Sequence, residues 1–502
     1  MLIMRHHPRG RGFRLFAIIV AALFVLGLLL VLTPRAAASQ QMQAASPAAS
    51  SAPTPAASSA PTPAASSAWM ASLDSLVTAE LARTRTPGAQ VAVVVDGKIA
   101  YSKGFGIADI ETRRPVTDQT LFRVGSVTKM VTAAAAAQMA AEKTLDLNAP
   151  ISRYVTEIAG KGPRVAGVTT HQLLSHSAGW LDNAVPYGRM GEGALGEVFT
   201  EITDTISFTE PGRVISYSNP GYSMVGYVIE RAGHGRFASV VDRLVLKKMG
   251  MPHATFRPLS ALTYDFSQGH IPSSAAPSIV RPFTENTAQW AAGFLFASAG
   301  ELARFTIAMM DDGMLDGQRV LAPEAITMMT TGHMAMPGGT ARYGYGLSVN
   351  TQSGQRVWRH GGSINGFDAQ VAMFPDRKLA VLVFDNLSGS PLVGITDHVA
   401  RLVAGISPDP VPTLAEPREA TAVERGQLVG TYRNGSATAA LYEENGALMF
   451  KRDLTIATVK LIGDDRMVAT PKVGNPTTML LVRDPASGRV EYVHMGLRSL
   501  GR

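Results

Sequence analysis

A serine and a lysine three residues apart are the side chains of this sequence most suited to chemistry. Ser126 and Lys129 lie in the stretch Leu121–Glu142, which reads LFRVGSVTKMVTAAAAAQMAAE. Residues three apart on a helix share a face, so the two side chains can touch. A lysine amine can take the proton of a neighbouring hydroxyl when burial or a positive neighbour lowers its pKa. The pair therefore predicts a nucleophile and its proton acceptor, although Ser-x-x-Lys is short enough to arise by chance.

The helix that carries this pair is predicted to be buried. Nearly every residue after Lys129 is alanine or apolar, so the helix has little polar surface to present to water. Ser126 falls at the helix start, where unpaired backbone N–H groups and the positive end of the helix dipole favour developing negative charge. We therefore expect the nucleophile at the N-terminus of a core helix.

Two further motifs could complete a site around the pair. Tyr217-Ser218-Asn219 stands in a loop just before a predicted helix, and His360-Gly361-Gly362-Ser363 stands at the end of one predicted strand and before the next. A phenol and an amide can complete a hydrogen-bond network, and glycines let a substrate approach a strand edge. Tyr432-Arg433-Asn434 repeats the Tyr-x-Asn pattern, but it follows the His-Gly-Gly motif in strand-rich sequence, so we interpret it as a coincidence.

The order of the predicted elements indicates an α+β fold. An amphipathic helix and two strands come first, many helices follow, and several strands end the body of the chain. This order predicts an antiparallel sheet flanked by helices, with a helical lobe between its halves. Short alternating strands after about residue 430 predict a small C-terminal all-β barrel. The predicted limits are 69–406 for the main domain, 407–424 for a proline-rich linker and 425–502 for the barrel.

The amino terminus predicts export. Residues 1–38 combine arginines, the uncharged apolar core Leu15–Leu32 and small residues at Ala36 and Ala38, which together indicate a signal peptide or a membrane anchor. The small residues favour cleavage. Either form places the body outside the cytoplasm, in the periplasm or secreted, or tethered facing outward. The repeated Ala/Ser/Pro sequence of residues 39–68 predicts a flexible linker.

Composition and missing motifs exclude several classes of function. The net charge is +7, but five arginines precede residue 40 and the rest of the chain carries only +2, so no nucleic-acid partner is predicted. The chain has no cysteine and no His-Glu-x-x-His motif, so no metal site is expected. No dinucleotide or phosphate fingerprint and no Gly-x-Ser-x-Gly elbow occurs, so no cofactor is expected. The expected partner is a small-molecule or short-peptide substrate, and the oligomeric state stays open.

The body of the chain resembles the serine β-lactamase and penicillin-binding protein superfamily, on its class C-like branch with the family VIII esterases and D-aminopeptidases. The resemblance runs from about residue 73 to residue 405. Long segments carry it as well as the short motifs, among them HQLLSHSAGW from His171, PGRVISYSNPGYSMVGYVIE from Pro211 and RHGGSINGFDAQVAMFPD from Arg359. It implies a β-lactamase-like fold and an acyl-enzyme mechanism.

The resemblance also implies a role for each motif residue. Ser126 would be the acylated nucleophile and Lys129 would share or relay its proton. Tyr217 would act as base in acylation and as acid toward the leaving group. Asn219 would orient the substrate and Lys129. The substrate would lie along the third motif, which consists of His360, Gly361, Gly362 and Ser363. The backbone N–H groups of Ser126 and Ser363 would form the oxyanion hole.

The function implied is that of a serine hydrolase acting on esters or on amide and peptide bonds. The alternative is a non-catalytic penicillin-binding, peptidoglycan-binding or sensor protein of the same fold. The third motif departs from the Lys-Thr-Gly of class C β-lactamases, because His360 replaces the lysine. An unperturbed histidine, with a pKa of about 6.5, is mostly neutral at pH 7 and is a poor partner for a carboxylate. We therefore expect esters and uncharged amides to be preferred over β-lactams, and His360 to bind or polarise the substrate.

Other candidates are predicted to be structural. His176 follows a short helix, and most single histidines are satisfied by local hydrogen bonds. The loop 179–205 is expected to shape the pocket. Five aromatic residues could line a pocket but are individually more typical of a core: Trp180, Tyr187, Tyr222, Trp290 and Phe294.

Overall fold

The computed structural model describes residues 63–182, 190–389, 392, 394–410 and 413–502. The predicted signal peptide or anchor, most of the Ala/Ser/Pro linker and Tyr187 lie outside the described residues. Within those ranges, no helix combines the length and the apolar character needed to cross a membrane.

A nine-stranded antiparallel sheet forms the centre of the main domain. Gly88–Val95 and Lys98–Asp109 form a hairpin, and its turn at Asp96 and Gly97 has positive φ at both residues. Gly88–Val95 also pairs with Leu379–Asp385, so the first and last strands of the domain meet inside the sheet. The spatial order is Met334–Ala335, Arg342–Tyr343, Ser348–Gln352, Gln355–Ile364, Phe367–Phe374, Leu379–Asp385, Gly88–Val95, Lys98–Asp109 and Arg114–Pro115.

Helices cover both faces of this sheet. Pro63–Thr84 and Gly394–Ala404 pack on one face, where Leu73 and Val399 are fully buried against alternate residues of the strands. The helical lobe covers the other face. Its longer helices are Thr128–Ala141, Asn219–Ala232, Ala299–Met310 and Pro323–Thr330, and its shorter ones are Pro163–Ala166, Thr170–Leu174, Ala194–Glu197, Phe237–Val241, Pro258–Ala261 and Trp290–Gly293. The predicted α+β architecture is confirmed.

Short elements complete the lobe. A two-stranded pair, Phe122–Arg123 with Phe296–Ala297, holds the chain just before Ser126. The remaining pairs are His270–Ile271 with Ser278–Ile279 and Met314–Leu315 with Gln318–Arg319. Single 3₁₀ turns occur at Gly125–Val127, Ile151–Arg153, Thr156–Ile158, Asp204–Ile206, Thr287–Gln289 and Pro375–Arg377, and a π turn at Asp242–Leu246.

The C-terminal region is a closed eight-stranded barrel, as predicted. Its strands are Gly430–Asn434, Ala437–Glu444, Ala447–Arg452, Thr455–Ile462, Arg466–Pro471, Thr477–Arg483, Val490–Met495 and Arg498–Gly501. Alternate residues such as Leu441 and Phe450 fill its interior. Ala422–Leu428 precedes it as a helix, with Thr421 and Glu424 forming a capping box.

The barrel packs on the main domain through its last hairpin. The Thr209 hydroxyl and the Tyr492 phenol are 2.5 Å apart, and Arg213 pairs with Glu491 at 2.8 Å. The backbone N–H of Tyr217 donates to the carbonyl of Leu497 at 2.8 Å. The tip of this hairpin therefore reaches a motif residue of the main domain.

Some predicted elements have other limits in the structure. The first helix begins at Pro63, inside the predicted linker, because Ala and Ser continue a helix that packing has already nucleated. The linker 407–424 is partly ordered, since Arg418 bridges Leu461 of the barrel. His360-Gly361-Gly362-Ser363 lies within the continuous strand Gln355–Ile364, because a glycine pair opposite a buried strand does not end pairing. Ser126 stands at the helix start as expected, in a 3₁₀ turn that runs directly into Thr128–Ala141.

Candidate active site

The turn that carries Ser126 is pressed against the strand that carries the third motif. Gly125 has φ +50°, and a Cβ at this residue would lie 2.6 Å from the backbone nitrogen of Ser363. A Cβ at Gly362 would lie 2.0 Å from the carbonyl oxygen of Val124. Both positions require glycine because the two backbones are in direct contact. The half-buried Ser126 side chain is therefore held beside the strand segment 361–363.

Lys129 lies one turn later, in the first turn of the helix Thr128–Ala141, and its side chain is fully buried. Its Nζ lies 2.6 Å from the carbonyl oxygen of Ala292, 2.7 Å from Oδ1 of Asn219 and 3.2 Å from Oγ of Ser126. The first two partners can only accept hydrogen bonds. Nζ is also placed to donate to Ser126 Oγ, so the ammonium form can bond to all three oxygens. Once deprotonated, the amine can keep its two obligate acceptors and leave its lone pair free to face the Ser126 hydroxyl.

Burial holds the pKa of Lys129 well below its ordinary value. The negative charge of Asp182 raises that pKa and the positive charge of Arg498 lowers it, both by less than burial does. Desolvation disfavours the ammonium form because a charge loses its hydration in the interior. The geometry and the lowered pKa agree on an amine that can accept a proton.

Asn219 is held in one orientation by Asp182. The helix Asn219–Ala232 begins at this asparagine, with Ser218 as its N-cap accepting from Gly221 N–H at 3.1 Å. Oδ1 of Asp182 accepts from the backbone N–H of Asn219 at 2.8 Å and from its Nδ2 at 3.1 Å. An acceptor at Nδ2 requires the amide oxygen to face the other way. Asn219 therefore presents Oδ1 to Lys129.

Tyr217 completes the group around the nucleophile. It is 8% exposed. Burial raises the pKa of Tyr217, while the neighbouring Ser126 side chain and the charge of Arg498 oppose that rise. Nζ of Lys129 lies 4.7 Å from the ring centroid and the Arg498 guanidinium 5.3 Å from it. The Arg498 guanidinium and, when it is protonated, the Lys129 ammonium therefore both face the Tyr217 ring.

His360 is buried beside this group, with both ring nitrogens in hydrogen bonds. Nδ1 donates to the carbonyl of Gly361 at 2.6 Å, and Nε2 accepts from the Tyr343 phenol at 3.1 Å. Burial, with a contribution from Lys129, lowers the pKa of His360 to about 3. The imidazole is therefore neutral at pH 7. It supports Tyr343 and the strand, and substrate polarisation by His360 stays a prediction.

His176 is buried, and among the described residues only one of its two ring nitrogens has a hydrogen-bond partner; that its role is structural stays a prediction. Its Nδ1 accepts from the backbone N–H of Ser218 at 3.2 Å, and its ring packs against Tyr217 at a tilt of 35° with centroids 4.2 Å apart. The imidazole therefore contacts the Tyr217-Ser218-Asn219 motif through one hydrogen bond and through its ring. Of the five aromatic candidates, the four described residues belong to the core; these are Trp180, Tyr222, Trp290 and Phe294.

The structure brings together every motif residue and adds three that sequence reasoning missed. Asp182, Tyr343 and Arg498 contact Asn219, His360 and the Tyr217 ring. None of the three has a sequence signal, because each belongs to no repeated pattern and Arg498 lies in the barrel. In the described ranges, no group of three acidic, histidine or cysteine side chains could hold a metal ion.

The family model for β-lactamase matches residues 73–405, two-thirds of the chain. This chain belongs to the β-lactamase family. It is 26% identical to penicillin-binding protein 4 of Amycolatopsis lactamdurans over 386 residues, which are 74% of this chain and 98% of the relative. It is 34% identical to esterase EstB of Burkholderia gladioli over 204 residues, which are 37% of this chain and 51% of EstB.

The crystal structure of SurE superposes with a TM-score of 0.75 and 26% identity, covering 87% of this chain and all of SurE. That coverage includes both the β-lactamase-like domain and part or all of the barrel, since it exceeds the share of residues 73–405. This chain spans 65% of the length of other curated relatives, so each of those relatives has residues outside the match. The family membership confirms a serine hydrolase family with penicillin-binding, esterase and D-aminopeptidase members.

Proposed function

We propose that this protein is an exported serine hydrolase that forms an acyl-enzyme on Ser126 and cleaves ester or amide bonds. The observation that carries the proposal is the hydrogen bonding of Lys129. Its Nζ lies within hydrogen-bond distance of Ser126 Oγ and of two oxygens that can only accept, so the neutral amine can hold those two and turn its lone pair toward the hydroxyl. A nucleophile beside a buried amine of lowered pKa is the arrangement that acyl transfer requires.

In acylation, Ser126 Oγ attacks the substrate carbonyl carbon while its proton passes to the Lys129 amine. The new C–O bond gives a tetrahedral oxyanion, and the backbone N–H groups of Ser126 and Ser363 are the proposed donors to it. One such donor typically contributes about 3 kcal/mol to lowering the barrier. Tyr217 gives its phenolic proton to the leaving group as the C–O or C–N bond breaks, and the Lys129 ammonium returns the serine proton to the phenolate.

In deacylation, a water molecule repeats these steps in reverse order. The water loses a proton to the same basic groups, adds to the acyl carbon, and displaces Ser126, which regains its proton. Atoms and charges balance without a cofactor or a metal, because water is the co-reactant. The name and 34% identity of the EstB relative support ester cleavage, and the penicillin-binding and D-aminopeptidase relatives support amide cleavage.

The charges around the site favour substrates without a carboxylate near the scissile bond. His360 is neutral, with its pKa lowered to about 3. Arg498 is paired with Asp182 at 2.6 Å, so its charge is already offset. β-Lactams carry a carboxylate, and we expect them to react more slowly than neutral esters or amides. Export is supported by the basic and apolar sequence of residues 1–38.

A fluorophosphonate probe followed by intact-mass spectrometry tests the proposal. We expect one adduct on the purified protein, mapped to Ser126, and no adduct on Ser126→Ala. We expect p-nitrophenyl ester hydrolysis to fall by at least 10³-fold in Ser126→Ala, as for other enzymes that lose their nucleophile. If several probes gave no adduct while a penicillin or peptide still bound, the non-catalytic alternative would replace the hydrolase.

A further inference from the structure

We propose that Arg498, at the tip of the last hairpin of the barrel, is a positioning residue of the active site that orients Asn219 and offsets the charge of Asp182 beside Lys129. This proposal rests on the proposed function, in which Lys129 accepts the proton of Ser126. It assigns the barrel a part in catalysis. Neither the family match, which ends at residue 405, nor any sequence motif includes Arg498.

The ion pair between Arg498 and Asp182 joins the barrel to the main domain. Nε and Nη2 of Arg498 both lie 2.6 Å from Oδ2 of Asp182. The two side chains are 30% and 21% exposed, so the pair is largely sheltered from solvent. Arg498 follows Leu497, whose carbonyl accepts from Tyr217 N–H. Two adjacent barrel residues therefore contact the site, one through its backbone and one through its guanidinium.

A continuous series of hydrogen bonds leads from this ion pair to the nucleophile. Arg498 donates to Oδ2 of Asp182, and Oδ1 of Asp182 accepts twice from Asn219. Oδ1 of Asn219 accepts from Lys129, whose Nζ reaches Ser126. Arg498 fixes the position of the Asp182 carboxylate by binding its second oxygen, which leaves Oδ1 turned toward Asn219. Arg498 thus acts through Asp182, and it does not contact Ser126.

The electrostatic consequence has a definite sign. Asp182 favours the ammonium form of Lys129 and Arg498 opposes it. Arg498 also favours the phenolate form of Tyr217. Loss of Arg498 alone leaves a negative charge beside both groups, so both would hold their protons more tightly. The other ionisable groups facing Lys129 are Tyr217, Tyr222, His176 and His360.

The pH dependence of kcat/KM on a p-nitrophenyl ester tests this role. In Arg498→Gln we expect the acid limb, which reports the free base, to move to higher pH by about one unit. In Asp182→Asn it should move to lower pH, because only the positive charge remains. In the double variant Asp182→Asn/Arg498→Gln it should return to within about 0.3 unit of the wild type, since both charges are gone. Arg498→Lys should keep the wild-type profile.

Arg213→Gln is the matched control. It removes a second ion pair between the two domains, Arg213 with Glu491, and neither charge is among those that shift the pKa of Lys129. We expect it to leave the acid limb in place. A purely structural role for Arg498 would scale the rate uniformly in all variants, and an acid limb unchanged in Arg498→Gln would overturn the proposal.

A measurement without substrate separates this proposal from the proposed function. A ¹³Cε-lysine NMR titration, with the Lys129 signal assigned by its loss in Lys129→Met, gives the pKa of Lys129 directly. A higher pKa in Arg498→Gln and a wild-type value in Arg213→Gln support the proposal, whether or not Ser126 is acylated. Equal pKa values in Arg498→Gln and wild type overturn it. Circular dichroism of each variant checks folding, and the double variant tests the proposal if Arg498→Gln alone fails to fold.

Discussion

The chain contains the Tyr-x-Asn pattern twice, once in the main domain and once in the barrel that packs against it. The two copies have different roles. Tyr217 and Asn219 surround Ser126 and Lys129. Tyr432 donates from its phenol to the carbonyl of Leu428 at 2.6 Å, so it closes the barrel onto the helix before it. Both tyrosines are buried and both have a raised pKa, chiefly through burial. Burial and pattern are therefore common to the two copies, and only the neighbouring groups differ.

The two asparagines show the same contrast. Asn219 places its amide oxygen on Lys129, while Asn434 donates from Nδ2 to the Ser499 carbonyl at 2.8 Å and to Ser216 Oγ at 3.4 Å. Ser216 immediately precedes Tyr217. The barrel copy therefore stabilises the interface behind the active-site copy. A short pattern acquires a chemical role only when the fold supplies a nucleophile and a base opposite it.

Removing the two phenols should give the largest difference between the copies. Tyr217→Phe is expected to lower kcat for ester hydrolysis by 10²- to 10⁴-fold, the usual contribution of a general acid or base. Tyr432→Phe should leave kcat within about twofold and lower the free energy of unfolding by about 1 kcal/mol, because one buried hydrogen bond is lost. Steady-state kinetics and urea unfolding measure the two effects. Equal losses of kcat would show that the phenol at Tyr217 has no chemical role.

The paired asparagine variants should differ less. Asn219→Ala removes one acceptor of the Lys129 amine, and we expect kcat to fall about 10- to 100-fold, or roughly 1.4 to 2.8 kcal/mol of barrier. Asn434→Ala should change kcat less than twofold, while unfolding becomes easier by about 1 kcal/mol. The same two assays serve. A larger loss of kcat in Asn434→Ala would mean that the interface, rather than the amide on Lys129, controls the rate.

The last comparison concerns stability rather than rate, through the buried histidine near each copy. Burial lowers the pKa of His494, beside Ser499, to about 4, and it lowers the pKa of His176 well below 6.5. Between about pH 4 and pH 6.5 the unfolded chain binds more protons than the folded one, so the free energy of unfolding falls as the pH is lowered. We expect a loss of about 2 kcal/mol for each histidine between pH 7.5 and pH 5, or about 4 kcal/mol for the two together. In His494→Gln, urea unfolding at several pH values should show a free energy of unfolding that depends less steeply on pH. An unchanged pH dependence would mean that His494 does not contribute to it.

Much of the fold followed from patterns along the chain. The nearly continuous apolar sequence of Gly88–Val95 and Leu379–Asp385 is typical of central strands, because every residue of such a strand meets helices on one face or the other. The alanine run after Lys129 predicted a buried helix, because only small side chains permit such close packing. The limits of helices and linkers were less accurate. A segment such as Pro63–Ala68 has no strong preference, and packing of the residues after it decides its state.

The sequence by itself determined the residue types of the site: a serine, a lysine, a phenol, an amide and a glycine pair, with spacings that a helix turn and a strand can present. Only the tertiary structure decided which Tyr-x-Asn meets the lysine, since that depends on two segments 90 residues apart in the chain. It also brought Arg498 to Asp182 across 316 residues. Contacts at such separations leave no local periodicity, because the chain between them is free to vary in length and composition. The proton affinity of Lys129 is therefore a property of the fold and of the barrel as much as of the motif.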